Sequence, residues 1–401
     1  MRKADLDRTG ASWADCKWIL DLETLGEDGA WRHHKSEEFD LVIMCLGNYS
    51  EKPHLPSFSE GKGPEVFCGE SIHSASFKSA QNLQGRHVGV IGFGKTALDI
   101  AVAVAAAQEE SGLPVTLIFR KAKWIIPRKA LERRGNNSRP YLRFTELWVA
   151  KPERHWAEHL LHTLGFPLVW LYWAVQQRVI RGMLDGLVQS GSYRPRHSLQ
   201  SALGCPLALE PEGFQELVKA GRIVLKEVSD WHYTERGLRL NGHDDLALDT
   251  VLLCTGYDGP SKLAEILPEN ERQFLAEHQD GLHLFRGIIH PKVPAVAFLG
   301  YNMTFSVVHS SELGAKWLAK LAGGSFDLPS EEEMERDREK WRTFREKNWI
   351  SYPERGQCFA PLNLTYYDML RADMGWPKLV LSSNPLKNLI APIASREVCE
   401  P

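Results

Sequence analysis

The segment Gly92-Phe93-Gly94-Lys95-Thr96-Ala97 has the residue types and spacing that hold a pyrophosphate. A pyrophosphate needs backbone N–H donors at close range. Gly92 makes the tight turn, and Gly94 clears space for the phosphate oxygens. Ala97 is small enough to let the following helix pack against the preceding strand. That helix points its N-terminus, with its partial positive charge, at the phosphate. The end of the next strand discriminates the two nicotinamide nucleotides. An acidic residue there would hold a ribose 2′-hydroxyl, but Arg120-Lys-Ala-Lys123 follows Phe119. Basic residues receive a 2′-phosphate, so NADP fits better, with Arg120 as its first ligand. The plain alternative is that Arg120 and Lys121 are surface charges.

Two other sets of reactive side chains imply less. His155, His159 and His162 are spaced to share a helical face, but Glu158 is the only carboxylate beside them. Surface or partly buried histidines explain them better than ligation, so no metal site is expected. The seven cysteines (Cys16, Cys45, Cys68, Cys205, Cys254, Cys358 and Cys399) are odd in number and form no CxxC. This fits a reduced compartment better than a disulfide framework, and it argues against dithiol or zinc-ribbon chemistry.

The elements that must position the nucleotide loop are legible around it. His87-Val-Gly-Val-Ile-Gly92 is a buried strand, Leu98 to Gln108 an Ala-rich helix, and Val115-Thr-Leu-Ile-Phe119 a second strand. This is the order of a βαβ unit. Upstream, residues 15–40 predict short strands around a turn at Gly26-Glu-Asp-Gly29. Phe39 to Gly47 then reads as a buried strand of a parallel sheet. Pro53, Pro56 and Pro64 mark a linker. Downstream, strands are expected at Gly221-Arg-Ile-Val-Leu, Asp249 to Gly256 and Val293 to Gly300. Helices are expected over His309 to Gly323 and 330–348, the second charged and solvated.

Residues 130–220 read as a helical insertion or cap with a basic run, Tyr193-Arg-Pro-Arg-His197. Within it, Leu160 to Trp173 is apolar but shorter than the ~20 residues that span a bilayer, and Pro167 interrupts it. A buried helix or a lid over a pocket is one reading. Peripheral contact of the 160–173 region with a membrane surface, through aromatic side chains, is another.

Bulk properties bound the function. The chain has 401 residues, 43% of them hydrophobic, enough for two or three domains. A net charge of −3 gives no basic field, so nucleic acid is not an expected partner. No charged-then-apolar leader follows Met1.

A combination of motifs resembles the flavin-containing monooxygenase family. Phe67-Cys-Gly69-Glu-Ser-Ile-His73-Ser-Ala-Ser-Phe77 fits FxGxxxHxxxF just ahead of the nucleotide loop, and Phe77, where Baeyer–Villiger relatives have Trp, points to the first family. Cys45-Leu-Gly47 and Asp249 to Tyr257 resemble its linker strands. Leu284-Phe-Arg-Gly-Ile-Ile-His-Pro291, Phe298-Leu-Gly300, Ser311-Glu-Leu and Trp317-Leu resemble the C-terminal part of its plant branch. The resemblance implies an α/β fold of two dinucleotide-binding domains, one for FAD and an inserted Rossmann-like one for NADP. It divides the chain into a remnant of the FAD domain and linker (1–83), the NADP domain with its helical insertion (84–250), the C-terminal part of the FAD domain (251–330) and a helical or irregular tail (331–401).

The family's FAD fingerprint, a strand with GxGxxG, and its N-terminal Asn have no counterpart upstream of Gly47, so the FAD domain reads as incomplete. A truncated gene prediction, a natural fragment and a degenerate homologue all remain open. The resemblance adds Gly47, Gly69, His73, Gly256 and Gly300 as residues near the cofactors. The glycines would permit close approach, Gly300 beside the flavin; simple strand termination and a hydrogen-bonded structural His73 are the plainer alternatives.

The implied activity is that of an N,N-dimethylaniline-type monooxygenase dependent on NADPH and FAD. It oxygenates an amine nitrogen or sulfide sulfur through a flavin hydroperoxide, with a small molecule and molecular oxygen as partners. An intracellular location follows, cytoplasmic or peripheral to the endoplasmic reticulum membrane. The cofactors carry that chemistry, so no residue is assigned as catalytic acid or base. Two other readings stand: an inactive NADP-binding fragment or relic, and an NADP-dependent dehydrogenase without flavin.

Overall fold

A computed structural model of the chain describes residues 3–7, 16–47, 52–132, 141–189, 191, 193–204, 207–257, 263, 266–275, 282–350, 357–379, 384–393 and 395–400. The chain opens with an antiparallel sheet of β1 (Lys3–Asp7), β2 (Lys17–Leu25) and β3 (Trp31–Phe39). The expected turn joins β2 to β3, with Gly29 N–H donating to Gly26 C=O. Next come β4 (Val42–Met44), β5 (Glu70–His73) and β6 (Val88–Ile91). Helix α1 (Lys95–Ala107) leads to β7 (Val115–Phe119) and β8 (Trp124–Ile126). The insertion supplies α2 (Arg143–Leu147), α3 (Trp156–Thr163) and α4 (Phe166–Met183).

After β9 (Leu207–Leu209) and α5 (Phe214–Lys219) the chain enters β10 (Ile223–Glu227). A meander of β11 (Trp231–Thr234), β12 (Gly237–Leu240) and β13 (Asp244–Ala247) precedes β14 (Thr250–Leu253). The C-terminal part holds β15 (Val296–Phe298), α6 (Val307–Ala322), α7 (Glu331–Asn348) and α8 (Asn363–Asp373).

The central sheet is five-stranded and parallel, in the order β10-β7-β6-β14-β5. β6 and β7 are buried at every position, as strands covered on both faces must be. α1 packs on the sheet through Ala97, Leu98, Ala101, Val104 and Ala105, and the three alanines let helix and sheet come close. This is an α/β fold with a parallel sheet, as expected. The sheet also crosses the expected boundaries at 83/84 and 250/251. β5 lies before the first and β14 straddles the second, yet β14 pairs with both β5 and β6. Motif order along the chain does not report which strand fills the slot between two others.

β4 and β15 form a separate parallel pair, Val42 opposite Val296 and Met44 opposite Phe298. Val42 and Met44 are buried, whereas Ile43 is 44% exposed. The Pro-rich stretch expected as a linker folds back on the loop after β14: Pro53 bridges Tyr257, and the N–H of His54 donates to Gly256 C=O at 3.0 Å.

Three expectations change. The charged segment 331–348 is helical but not simply solvated: Met334, Arg338, Trp341 and Arg345 are buried along one face of α7. The apolar stretch is interrupted at Pro167 as expected: α3 ends at Thr163, and Pro167 occupies the first turn of α4, where its missing N–H costs nothing. The 160–173 stretch is not buried, since Leu164 is 80% and Trp170 62% exposed. Among the cysteines, Cys358 is disulfide-bonded while Cys16, Cys45, Cys68, Cys254 and Cys399 are free thiols. Sequence spacing does not report which thiols meet in space. Cys205 lies outside the described residues.

Candidate nucleotide-binding site

In a parallel sheet every strand ends at the same edge, and ligands of open α/β sheets bind there. Four strand ends of the central sheet carry residues singled out in the sequence. β5 ends at His73, β6 runs into Gly92, β7 into Arg120, and β14 runs toward Gly256. The sheet thus gathers His73, Gly92–Ala97, Arg120 and Gly256 along one edge.

Gly92 has φ +131, a conformation that L side chains rarely adopt, and a Cβ there would lie 2.6 Å from Cys254 O. Its N–H donates to Ile118 C=O at 2.8 Å, so the turn is held between β7 and β14. Gly94 is different: it is extended, with φ −91 and ψ 175, and open space surrounds the position of its Cβ. It is the N-cap of α1, and no side chain caps that helix. The first-turn amides therefore face outward as donors. Lys95 pairs with Asp99 on the exposed side of α1, while Ala97 is buried against the strands. Phe93 is buried behind the loop and packs on Phe119, ring centroids 4.3 Å apart. Arg120 and Lys121 are exposed where β7 ends. Close backbone approach, free helix donors and adjacent cations together fit the pyrophosphate and 2′-phosphate of NADP.

The FxGxxxHxxxF segment serves the scaffold. Buried His73 accepts the Ala75 N–H at Nδ1 (3.1 Å) and donates from Nε2 to Gly256 C=O (3.0 Å). Burial holds its pKa below the ordinary histidine value, and the two bonds require the neutral ring. His73 thereby ties the end of β5 to the loop after β14. Gly69 departs from the expectation of a cofactor contact. It precedes β5, at the opposite edge of the sheet, where a Cβ would lie 2.3 Å from Phe67 Cζ and 2.5 Å from Asp249 O. It is small because Phe67 and the backbone before β14 pack onto it. Cys254, beside Gly92, has its thiol pushed up to about 12 by burial, so it is no nucleophile at neutral pH.

Gly47 (φ +73) and Gly300 (φ +78) lie in the second pair of strands, just past the ends of β4 and β15. Among the described residues other than the chain neighbours, no atom lies within 4 Å of a Cβ built on Gly47, and for Gly300 Ser311 Oγ lies at 3.9 Å. The two glycines leave room for a flat ligand at that edge and fit the near side of a flavin. The described residues before them form the antiparallel β1–β3 sheet and contribute no strand–glycine loop–helix for the FAD pyrophosphate.

The three histidines are directed apart. His155 caps α3 by accepting the Ala157 N–H, His162 meets Leu147 C=O at 3.0 Å, and His159 lines a cleft between α3 and α7. That cleft, of about 1260 Å³, contains no residue of the nucleotide loop. One residue of the site was missed in the sequence. Tyr193, read only as part of a basic run, is buried against Phe93. An aromatic residue before Arg-Pro-Arg was the available signal.

Comparison with known proteins agrees with this geometry. The family model for flavin-binding monooxygenase-like proteins matches residues 25–145. A probable flavin-containing monooxygenase 1 of Arabidopsis thaliana is 31% identical over 399 residues, 93% of this chain and 70% of that protein. Among solved structures, an oxidized steroid monooxygenase bound to NADP superposes with a TM-score of 0.58 at 17% identity, over 94% of this chain and 78% of that one. Tmm from Pelagibacter sp. strain HTCC7211 superposes with a TM-score of 0.51 at 15% identity, over 91% of this chain and 57% of that one. The chain thus spans less than two thirds of Tmm and about seven tenths of the plant relative. The fold is that of flavoproteins with two dinucleotide-binding domains. A flavin is named in the family and in the plant relative, the steroid monooxygenase holds NADP, and by its identity to the plant relative the chain belongs to the flavin-containing monooxygenase family.

Proposed function

We propose that this chain binds NADPH at the Gly92–Ala97 loop and serves an FAD-dependent monooxygenase reaction on a soft nucleophile, an amine nitrogen or a sulfide sulfur. The observation that carries this reading is the shared edge of the central sheet: an uncapped α1 behind Gly94, with Arg120 at the end of the neighbouring strand. The first-turn amides would hold the pyrophosphate, and Arg120 with Lys121 the 2′-phosphate. Bound FAD would supply the oxygen chemistry. Gly47 and Gly300 would leave room for it, and the protein's part is to bind, orient and keep water from the reacting edge.

The test is to incubate the purified chain with FAD, remove free flavin, and record the visible spectrum before and after NADPH. Retained flavin that bleaches on NADPH supports a working enzyme. NADPH binding without retained flavin would make the chain an NADP-binding relic or fragment. Failure to bind NADPH would end the proposal. A flavin-free dehydrogenase is disfavoured because, among the described residues, His73 at this edge is neutral with both ring nitrogens bonded and Lys95 of the loop is paired with Asp99.

A second proposal concerns α3 and α4. Trp156, Leu160, Leu164, Phe166, Leu168 and Trp170 are exposed along this hairpin. The adjoining cleft is lined by six Lys or Arg side chains and two Glu. Aromatic and aliphatic side chains beside basic ones suit the surface of an anionic lipid bilayer. No helix among the described residues is long and apolar enough to cross a membrane.

A further inference from the structure

Tyr193 belongs neither to the Gly92–Ala97 loop nor to the basic link after β7, yet its side chain reaches both. Its ring stacks on Phe93, the second residue of the loop, with centroids 6.1 Å and planes 22° apart. Its hydroxyl donates to Lys123 C=O at 3.2 Å and accepts the N–H of Ile125 at 3.0 Å. The link Arg120–Lys123 is therefore held at both ends. At one end Phe119 is packed on Phe93, and at the other Lys123 is bonded to the Tyr193 hydroxyl. Ala122 is buried between them, which leaves Arg120 and Lys121 as exposed side chains on a fixed base. Tyr193 itself is 3% exposed, so water does not replace either hydrogen bond if the hydroxyl is removed.

We infer that Tyr193 is a positioning residue for nucleotide selectivity: through Lys123 and Ile125 it fixes the link from which Arg120 reaches the 2′-phosphate. This rests on the proposed role of Arg120. The selectivity follows from the ligands themselves. NADPH carries a phosphate at the ribose 2′ position and NADH a hydroxyl, so displacing the link weakens NADPH and leaves NADH nearly untouched. A ring that only filled the core would affect both nucleotides alike.

The experiment titrates the full chain with NADPH and NADH, following nicotinamide fluorescence. Wild type is expected to prefer NADPH. Equal binding of the two, or binding of neither, would remove the Arg120 reading and this inference with it. Given that preference, Tyr193→Phe keeps the ring and loses only the hydroxyl. It should raise the Kd for NADPH about tenfold and change that for NADH by less than about twofold. Phe93→Leu disturbs the pyrophosphate loop but leaves both hydroxyl bonds, and it should weaken both nucleotides by a similar factor. Arg120→Ala should abolish the preference, and adding Tyr193→Phe to it should cost nothing more. If Tyr193→Phe weakens both nucleotides equally, or neither, or if its effect adds to that of Arg120→Ala, Tyr193 supports the fold alone and the inference is wrong. Thermal melts of each variant establish that the folded chain is being titrated.

Discussion

Gly92 and Gly94 stand two residues apart in one motif, but the structure asks different things of them. Alanine at Gly92 must adopt φ +131 and push against Cys254 O, 2.6 Å from its Cβ. Gly92→Ala should therefore lower stability by about 1–3 kcal/mol and weaken NADPH as well. Alanine at Gly94 meets open space. Gly94→Ala should melt like wild type and still bind NADPH at least ~10-fold more weakly, because its methyl occupies the approach of the phosphate. Thermal melts beside NADPH titrations separate the two. A Gly94→Ala that binds like wild type would move the pyrophosphate elsewhere. The turn was legible in the sequence because its demands are local. The work of His73 was not, because its acceptor, Gly256 C=O, comes 183 residues later.

The elements hold one clamp that no local pattern announces. Glu146 of α2 is buried and accepts three donors at the start of α8: the N–H of Leu364 (2.5 Å), the N–H of Thr365 (3.1 Å) and the Thr365 hydroxyl (2.6 Å). Burial raises its pKa, while Lys151, Arg143 and these donors oppose the rise. A side chain from the insertion thus caps a helix of the C-terminal part. Glu146→Ala leaves those amides without an acceptor and should cost about 2 kcal/mol, read as a lower urea midpoint at unchanged slope. An unchanged midpoint would show that solvent or another group caps α8 equally well. The buried face of α7 was half-legible. Met334 and Trp341 stand one heptad apart among charges, but Arg338 and Arg345 complete the face and look like surface residues. In the structure Arg345 meets His283 Nδ1 at 2.8 Å, a pairing visible only in three dimensions.

Across the whole molecule, the order of motifs revealed the family and the fold class, while strand order showed that the nucleotide sheet reaches past both expected domain boundaries. The exposed hairpin of α3 and α4 bears on where the molecule works. Sedimentation with vesicles should carry the chain down with anionic lipid and much less with neutral lipid. Replacing Leu164 and Trp170 with Gln should reduce the bound fraction severalfold without changing NADPH affinity. Equal sedimentation of the variant would assign that surface to something other than lipid.

The place of β14 between β6 and β5 also has a consequence in time. β6 is complete at Ile91, but the strand that fills its open side begins at Thr250. At ~5–20 residues per second of synthesis, that interval is roughly 8–30 s. Throughout it the nascent chain carries an unpaired, wholly apolar strand edge, a template for pairing with another copy. Soluble yield should therefore depend on the speed of translation and the supply of chaperones more steeply than the stability of the finished protein would suggest.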